Sequence, residues 1–327
     1  MTSFPANKFQ DFTVVSIPTR TSFRGITFRE AAIFRGTQGW SEFSPFLEYQ
    51  KIESATWLRA ALEGANTPWP HMYRKQVAVN ATLPIVPVDQ VAGILANFDG
   101  CTTVKIKVND FESGSELVEE TLNILPDAKI RLDVNGSWSL EEALLHLHDF
   151  HLRFGKVFEY IEQPCTSFED LAKLKAEVPM KIAVDESIRK NLGSDFSNLR
   201  DIADVAIVKW APTGGISAAH EIAKQTGLPT VVSSALDTGI GISHSLALAA
   251  SFQSLEYACG LGTIALLESD ICDPALIPHG GMIEVERKEP NFHLVEKYRA
   301  TQERQDWWKN RVIEITENWI DGKEWNL

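Results

Sequence analysis

Between residues 103 and 210, short apolar runs end repeatedly in a charged side chain. The runs are Thr103-Val-Lys-Ile-Lys-Val108, Ile130-Arg-Leu-Asp-Val-Asn135, Phe158-Glu-Tyr-Ile-Glu-Gln-Pro164, Ile182-Ala-Val-Asp-Glu186 and Val205-Ala-Ile-Val-Lys-Trp210. Their charged ends, Lys107, Asp133, Glu162, Asp185 and Lys209, are 26, 29, 23 and 24 residues apart. One strand, one helix and two short loops fill such an interval, so the pattern predicts successive βα units. Charge is costly inside a strand core, so five charges at strand ends are expected to converge. A barrel of parallel strands gathers strand ends at its C-terminal rim, which is where such barrels keep their active sites.

The flanking segments read differently. Phe12–Ile17 and Ile26–Phe34 alternate apolar and polar residues and predict antiparallel strands, with Arg20-Thr-Ser-Phe-Arg-Gly25 as a polar, glycine-ended hairpin or loop between them. A helix is expected over Tyr49–Leu62. From 79 to 281 strand and helix patterns alternate without interruption. Two of those helices carry their own punctuation. Ser139–Phe154 opens with Ser139 and Glu142 at capping-box spacing, and Ser217–Thr226 stops at Gly227 and Pro229. The last zone, 282–327, predicts one long amphipathic helix from Phe292 to Trp319, with Trp307, Trp308, Val312 and Ile315 on its apolar stripe. The reading is an α/β barrel over residues 79–281, with an α+β cap assembled from residues 1–78 and 282–327.

Composition narrows the function classes. A chain of 327 residues fits a barrel of about 250 residues with an accessory domain. A net charge of −13 argues against a nucleic-acid partner, which needs a basic face. No apolar run of about 18 residues predicts a membrane span, and the N-terminus lacks the basic start and apolar stretch of a signal peptide. Cys101, Cys165, Cys259 and Cys272 form no CxxC pair. Reduced cysteines in a cytoplasmic protein, with no thiolate metal site, are expected.

Asp133, Glu162 and Asp185 offer only oxygen, and hard oxygen ligands select Mg²⁺, with Mn²⁺ as an alternative. The competing reading for any one acid is an ion pair on the rim. Asp185 and Glu186 are adjacent, so in a regular strand only one points inward, which makes Glu186 a supporting group. Lys105 and Lys107 face one side of their strand. Their mutual repulsion is expected to lower the pKa of at least one, favouring a neutral amine that can act as a general base. Exposed lysines on an edge strand are the alternative, opposed by the apolar Val104, Ile106 and Val108 between them. Lys209 comes from across the barrel. A carboxylate-held metal between opposed lysines suits removal of a proton next to a carboxylate.

This run of motifs resembles the enolase superfamily, and within it the o-succinylbenzoate synthases. The likeness rests on Lys105-Ile-Lys107, Leu132-Asp-Val-Asn-Gly136, Tyr160-Ile-Glu-Gln-Pro-Cys165, Ala183-Val-Asp-Glu-Ser187 and Val208-Lys-Trp-Ala-Pro-Thr-Gly-Gly215. Phe23-Arg-Gly-Ile-Thr27 and Gly39-Trp-Ser-Glu-Phe-Ser-Pro45 are similar to the family's cap. The resemblance implies a (β/α)₇β modified barrel under an α+β cap, with Mg²⁺ on Asp133, Glu162 and Asp185. It makes Lys107 the base that removes the α-proton, Lys105 its modulator and Lys209 the charge that stabilises the enediolate. The implied reaction is the dehydration of a cyclohexadiene dicarboxylate to 2-succinylbenzoate, in menaquinone biosynthesis.

Further residues follow from the same likeness. Ser233 and Ser234 follow the seventh strand, and Gly260 ends the eighth, where bare backbone admits a ligand. Arg24 on the cap loop, with an exposed solvated arginine as its equal alternative, and Asn135 two beyond Asp133 are candidates for substrate contact. Arg131 is another, with pairing to internal acids as its equal alternative. His244 reads as a helix-surface or packing residue. Three other activities use the same machinery: N-acylamino acid racemisation, dipeptide epimerisation and a cycloisomerisation. From a different class, a Schiff-base aldolase would need one reactive lysine and no metal. A non-catalytic barrel is the bland remainder. Oligomeric state is left open, with a monomer compatible.

Overall fold

The computed structural model describes residues 4–320. The N-terminal alternation forms a three-stranded antiparallel sheet in the order β1 (Gln10–Phe23), β2 (Ile26–Arg35), β3 (Trp40–Phe43). Val15, Ile17, Ala31 and Ile33 are buried on one face, and Val14, Ala32 and Phe34 on the other. Of the hairpin and loop readings of Arg20–Gly25, the hairpin is the one realised. β1 runs on to Phe23, which pairs with Ile26 across a turn made only by Arg24 and Gly25. Both turn residues have positive φ, 52° and 78°, the backbone that a two-residue hairpin requires. Glycine adopts it freely, whereas Arg24 is strained there. Helix α1 (Lys51–Asn66) follows, and then β4 (Gln76–Ala78).

The barrel begins with β5 (Ala81–Leu83) and α2 (Val91–Leu95). It continues through β6 (Thr103–Lys107), α3 (Phe111–Ile124), β7 (Lys129–Asp133), α4 (Leu140–Phe154), β8 (Phe158–Glu162), α5 (Phe168–Glu177) and β9 (Ile182–Val184). After the short α6 (Glu186–Arg189) come β10 (Val205–Lys209), α7 (Trp210–Thr213), α8 (Ile216–Thr226), β11 (Thr230–Ser233) and α9 (Gly239–Ser251). Strands β5 to β11 lie side by side in chain order, all parallel. Cys259 and Gly260 close the ring as its eighth member, bridging Val79 on one side and Ser233 on the other. The fold is thus a (β/α)₇β barrel.

Capping chemistry bounds the helices as the sequence implies. Ser139 and Glu142 exchange both bonds of a capping box at the start of α4, and Gly227 ends α8 in the left-handed conformation. Every residue of α9 is buried, since it lies between the barrel and the cap strand β3.

The cap is completed by the other end of the chain. β12 (Met282–Glu284) pairs antiparallel with β4. The single long helix expected over Phe292–Trp319 is two helices, α10 (Phe292–Lys297) and α11 (Gln302–Ile320). At the break the backbone turns to the open edge of β1. Ser16 N donates to Tyr298 O at 2.7 Å, and Ala300 N donates to Val14 O at 2.9 Å. A strand edge with unpaired amides outcompetes one further helical turn, and the apolar periodicity cannot register that choice. α11 then packs on α1 and β1, burying Trp308, Val312 and Ile315.

Candidate active site

The parallel register sets the predicted residues level with one another. Lys107 is opposite Asp133, Asp133 opposite Glu162, and Lys209 opposite Ser233. All are at C-terminal strand ends, so their side chains share one rim. Val104, Ile106 and Val108 are buried on the other face of β6, so this is no exposed edge strand.

The charged groups interlock. Lys105 Nζ lies 3.2 Å from Asp133 Oδ2 and 3.2 Å from Glu162 Oε2. Lys107 Nζ donates to Asp133 Oδ2 at 3.0 Å and to Asn135 Oδ1 at 2.6 Å. Lys209 Nζ donates to Asp185 Oδ2 at 2.6 Å. Asp133, Glu162 and Asp185 are almost wholly buried.

The titration behaviour follows from this packing. Burial alone would raise Asp133, but the charges of Lys105 and Lys107 hold its carboxyl below the usual range. Burial likewise opposes ionisation of Asp185, and Lys209 with Arg189 overcomes it. Glu162 goes the other way: burial, helped by Asp133 and only partly offset by Lys105, pushes it up to about 7. The expectation that lysine–lysine repulsion lowers a lysine pKa fails at Lys105. Desolvation lowers it, yet Asp133 and Glu162 together lift it above the ordinary lysine value. The acids outweigh the neighbouring ammonium.

Asp185 and Glu186 require a second correction. β9 ends at Val184, and Glu186 already begins α6, so strand alternation does not apply to the pair. Both side chains join the rim network. Glu186 Oε1 accepts from Arg189 Nη2 at 2.8 Å and from Asn135 Nδ2 at 3.3 Å.

The acids fit a hard divalent cation. The donor set is three carboxylates, and Asp133 Oδ1 is buried without a hydrogen-bond partner. Among the described residues no three His, Cys, Asp or Glu side chains already stand in ion-gripping geometry. The reason is visible in the distances above, since each acid is turned onto a lysine.

Ser233, Ser234, Gly260, Arg24, Asn135 and Glu186 all border the cavity over this rim, with Phe23, Phe46, Tyr49 and Trp57 from the cap. A Cβ on Gly260 would sit 2.5 Å from Ser233 Oγ, so a larger residue there would displace that hydroxyl. Ser234 Oγ donates to Gly260 O at 2.7 Å. Arg24 lies over the Phe46 ring at 4.6 Å and donates to the Tyr49 hydroxyl at 3.2 Å.

Arg131, a candidate for substrate contact, does not border the cavity. It is fully buried, with Nη2 2.6 Å from Glu159 Oε2 and Nη1 donating to Asn80 Oδ1 at 2.9 Å and Ala258 O at 2.8 Å. Its guanidinium stacks on Tyr160, so the internal pairing is the one realised. His244 is fully buried rather than on a helix surface. It accepts from Trp69 Nε1 at 3.1 Å and stacks on Trp210. Sequence reasoning missed Arg189, which lines the mouth and bonds Glu186; its i, i+3 spacing from Glu186 on a helix was the available signal.

Two family models cover the chain, an enolase N-terminal domain-like model over residues 14–65 and an enolase C-terminal domain-like model over 89–290. An o-succinylbenzoate synthase of Thermobifida fusca (strain YX) is 44% identical over 83% of this chain and 86% of its own length. Another, from Mycobacterium tuberculosis (strain ATCC 25618 / H37Rv), is 41% identical over 91% of each. Among solved structures, muconate lactonizing enzyme from Pseudomonas fluorescens superposes with a TM-score of 0.74 at 17% identity, over 88% of this chain and 98% of that one. The L-Ala-D/L-Glu epimerase from Bacillus subtilis gives 0.72 at 20% identity, over 86% of this chain and 96% of that one. These structures share the fold. The chain belongs to the enolase superfamily and, within it, to the o-succinylbenzoate synthase family.

Proposed function

We propose that this protein is an o-succinylbenzoate synthase, a lyase that removes water from 2-succinyl-6-hydroxy-2,4-cyclohexadiene-1-carboxylate to give 2-succinylbenzoate in menaquinone biosynthesis. The observation that carries this reading is the interlocked set of three lysines and three acids on one barrel rim, in a chain 41–44% identical to relatives bearing that name.

Lys107 takes the proton from the ring carbon that bears the carboxylate. The electron pair left behind forms the new ring double bond as the neighbouring C–O bond breaks, and the hydroxyl leaves as water by taking the proton that the Lys107 ammonium now carries. Aromatisation drives the elimination. Lys107 now donates to Asp133 and Asn135, so substrate entry has to exchange one of those contacts for the carbon acid. Lys105, fixed between Asp133 and Glu162, supports Lys107 by charge. Lys209 supplies positive charge from the opposite side. Mg²⁺, or Mn²⁺ in its place, held by Asp133, Glu162 and Asp185 would polarise the substrate carboxylate and offset the charge developing on it.

The substrate is a small dianion, and the protein carries −13 overall. Attraction therefore has to come from the local cations, and Arg24 at the hairpin tip adds to the three lysines. Ser233, Ser234 and the bare Gly260 form the barrel wall of the cavity, while Asn135 and Glu186 hold one another beneath its edge. We read the protein as cytoplasmic, consistent with four free cysteines. Among the described residues no helix is long and apolar enough to cross a membrane.

The test is a spectrophotometric assay with the cyclohexadiene substrate, with Mg²⁺ and with excess EDTA. Loss of diene absorbance that EDTA abolishes supports the reading. Absence of turnover in folded, Mg²⁺-loaded protein overturns it and favours the second reading, racemisation of N-acylamino acids or epimerisation of dipeptides. That alternative is supported by Lys107 and Lys209 lying on the second and sixth members of an eight-membered ring, on opposite sides of the site. A Schiff-base aldolase fits poorly, because Lys105 is held charged between two acids.

A further inference from the structure

Two walls of the active-site mouth are tied to one buried arginine of the cap. Arg29, on β2, is only 2% exposed. On one side its guanidinium lies 4.6 Å from the centre of the Phe46 ring, and Arg24 stacks on Phe46 at the same distance. Arg24, Phe46 and Arg29 therefore form a stack running from the mouth inward. On the other side Arg29 Nε donates to Leu236 O at 3.0 Å and Nη2 donates to Ala235 O at 3.3 Å. These carbonyls belong to the turn that follows Ser233 and Ser234 at the end of β11.

Within that turn Asp237 Oδ2 accepts from Ala235 N at 3.1 Å, and the rest of its support comes from the cap. Leu236 has φ of 62°, a conformation costly for a residue with a branched side chain. A second cap residue secures the turn's far end. The carboxylate of Glu42, on β3, accepts from Thr238 N at 3.1 Å, Thr238 Oγ1 at 2.5 Å and Gly241 N at 3.0 Å. Ser44 ties the two clamps together: its hydroxyl donates to Glu42 and its carbonyl accepts from Arg29. Glu42, Thr238 and Asp237 are as deeply buried as Arg29. A buried arginine and glutamate are expensive to keep, and replacing such groups by apolar ones is often neutral or stabilising. Here they fix a strained turn next to the substrate cavity, which a purely apolar contact could not do.

We propose that Arg29 and Glu42 are positioning residues that set substrate fit by fixing the Ser233–Thr238 segment against the Arg24–Phe46 wall, without taking part in proton transfer. This rests on the synthase reading. Neither residue lines the cavity or contacts the lysines and acids of the rim.

The experiment compares wild type with Arg29→Lys, Arg29→Met and Thr238→Val. It measures kcat and KM for the cyclohexadiene substrate, calorimetric affinity for 2-succinylbenzoate with Mg²⁺, and the thermal midpoint. Arg29→Met is expected to raise KM and weaken product binding about tenfold, with kcat within about threefold of wild type. Arg29→Lys should recover part of that loss. Thr238→Val, which keeps side-chain shape and removes one bond to Glu42 and the N-cap bond to Ile240 N, is expected to raise KM about threefold in a folded protein whose midpoint drops by a few degrees. Should Arg29→Met not fold, Arg29→Lys and Thr238→Val still decide. Folded variants whose KM and product affinity match wild type, or whose kcat alone falls, overturn the inference. Inactive wild type would instead overturn the synthase reading, and calorimetry with the product would separate the two failures.

Discussion

Arg131 and Asp133 are two residues apart on the same face of β7, yet they belong to opposite kinds of ionic cluster. Around Arg131, one acid, one amide, one carbonyl and one aromatic ring close over a single guanidinium. Around Asp133, three lysines and three acids share contacts, one carboxylate oxygen is left without a partner, and Glu162 is pushed up to about 7. The lower knot is sealed from the cavity, and the rim lines it. A sealed cluster stabilises the fold and has nothing to give a ligand. Cavity-facing charges with displaced titration, like those of the rim, are where functional sites tend to lie.

The largest expected effect is chemical and confined to the rim. Lys107→Ala should lower kcat by a factor of roughly 10³ or more while leaving the thermal midpoint close to wild type. Near-wild-type turnover in that variant would remove Lys107 as the base. The converse is expected in the lower knot. Arg131→Met removes a buried guanidinium that joins Glu159, Asn80 and Ala258, leaving half-buried Glu159 only its 3.6 Å contact with the exposed Lys129, and should cost about 3 kcal/mol in denaturant unfolding. A small loss there would mean that the knot is less sealed than its contacts imply.

A milder test uses the cation directly. Mg²⁺ at about 100 times its dissociation constant should stabilise the protein by about 2.7 kcal/mol, read as a rise in thermal midpoint. Glu162→Gln should remove most of that rise, and Arg131→Met should keep it. The smallest effect concerns His244, at the joint of cap and barrel, which burial pulls down to about 3. Its folded pKa lies below the unfolded value of 6.5, so its contribution is complete above pH 6.5 and is lost as pH falls toward 3. At pH 5.5 that loss is about 1.4 kcal/mol, and it should vanish from the pH–stability curve of His244→Gln.

The rim was legible in the sequence because each member sits at the end of its own apolar run, and parallel register does the rest. Lys107, Asp133 and Glu162 needed no long-range information beyond the regularity of βα units. What could not be read was contact between distant segments. Arg29 bonds carbonyls some 206 residues away, and Glu42 bonds Thr238 196 residues away. In the sequence both look like surface charges on a half-polar strand. The break at Tyr298–Thr301 was hidden for a similar reason, since only the position of β1 makes leaving the helix worthwhile. Glu186 and Arg131 show the limit of periodicity: alternation tells which side of a strand a residue faces but neither where the strand stops nor how deep the residue lies.

The pairing of Tyr298 and Ala300 with the edge of β1 also bears on how the chain is made. A ribosome delivers β1 early, but the backbone that covers its edge lies some 280 residues later. At about 5–20 residues per second, the N-terminal sheet waits roughly 15 to 60 s with its outer amides and apolar face exposed. The whole barrel emerges during that delay. The edge of β1 is therefore among the last parts of the fold to be sealed.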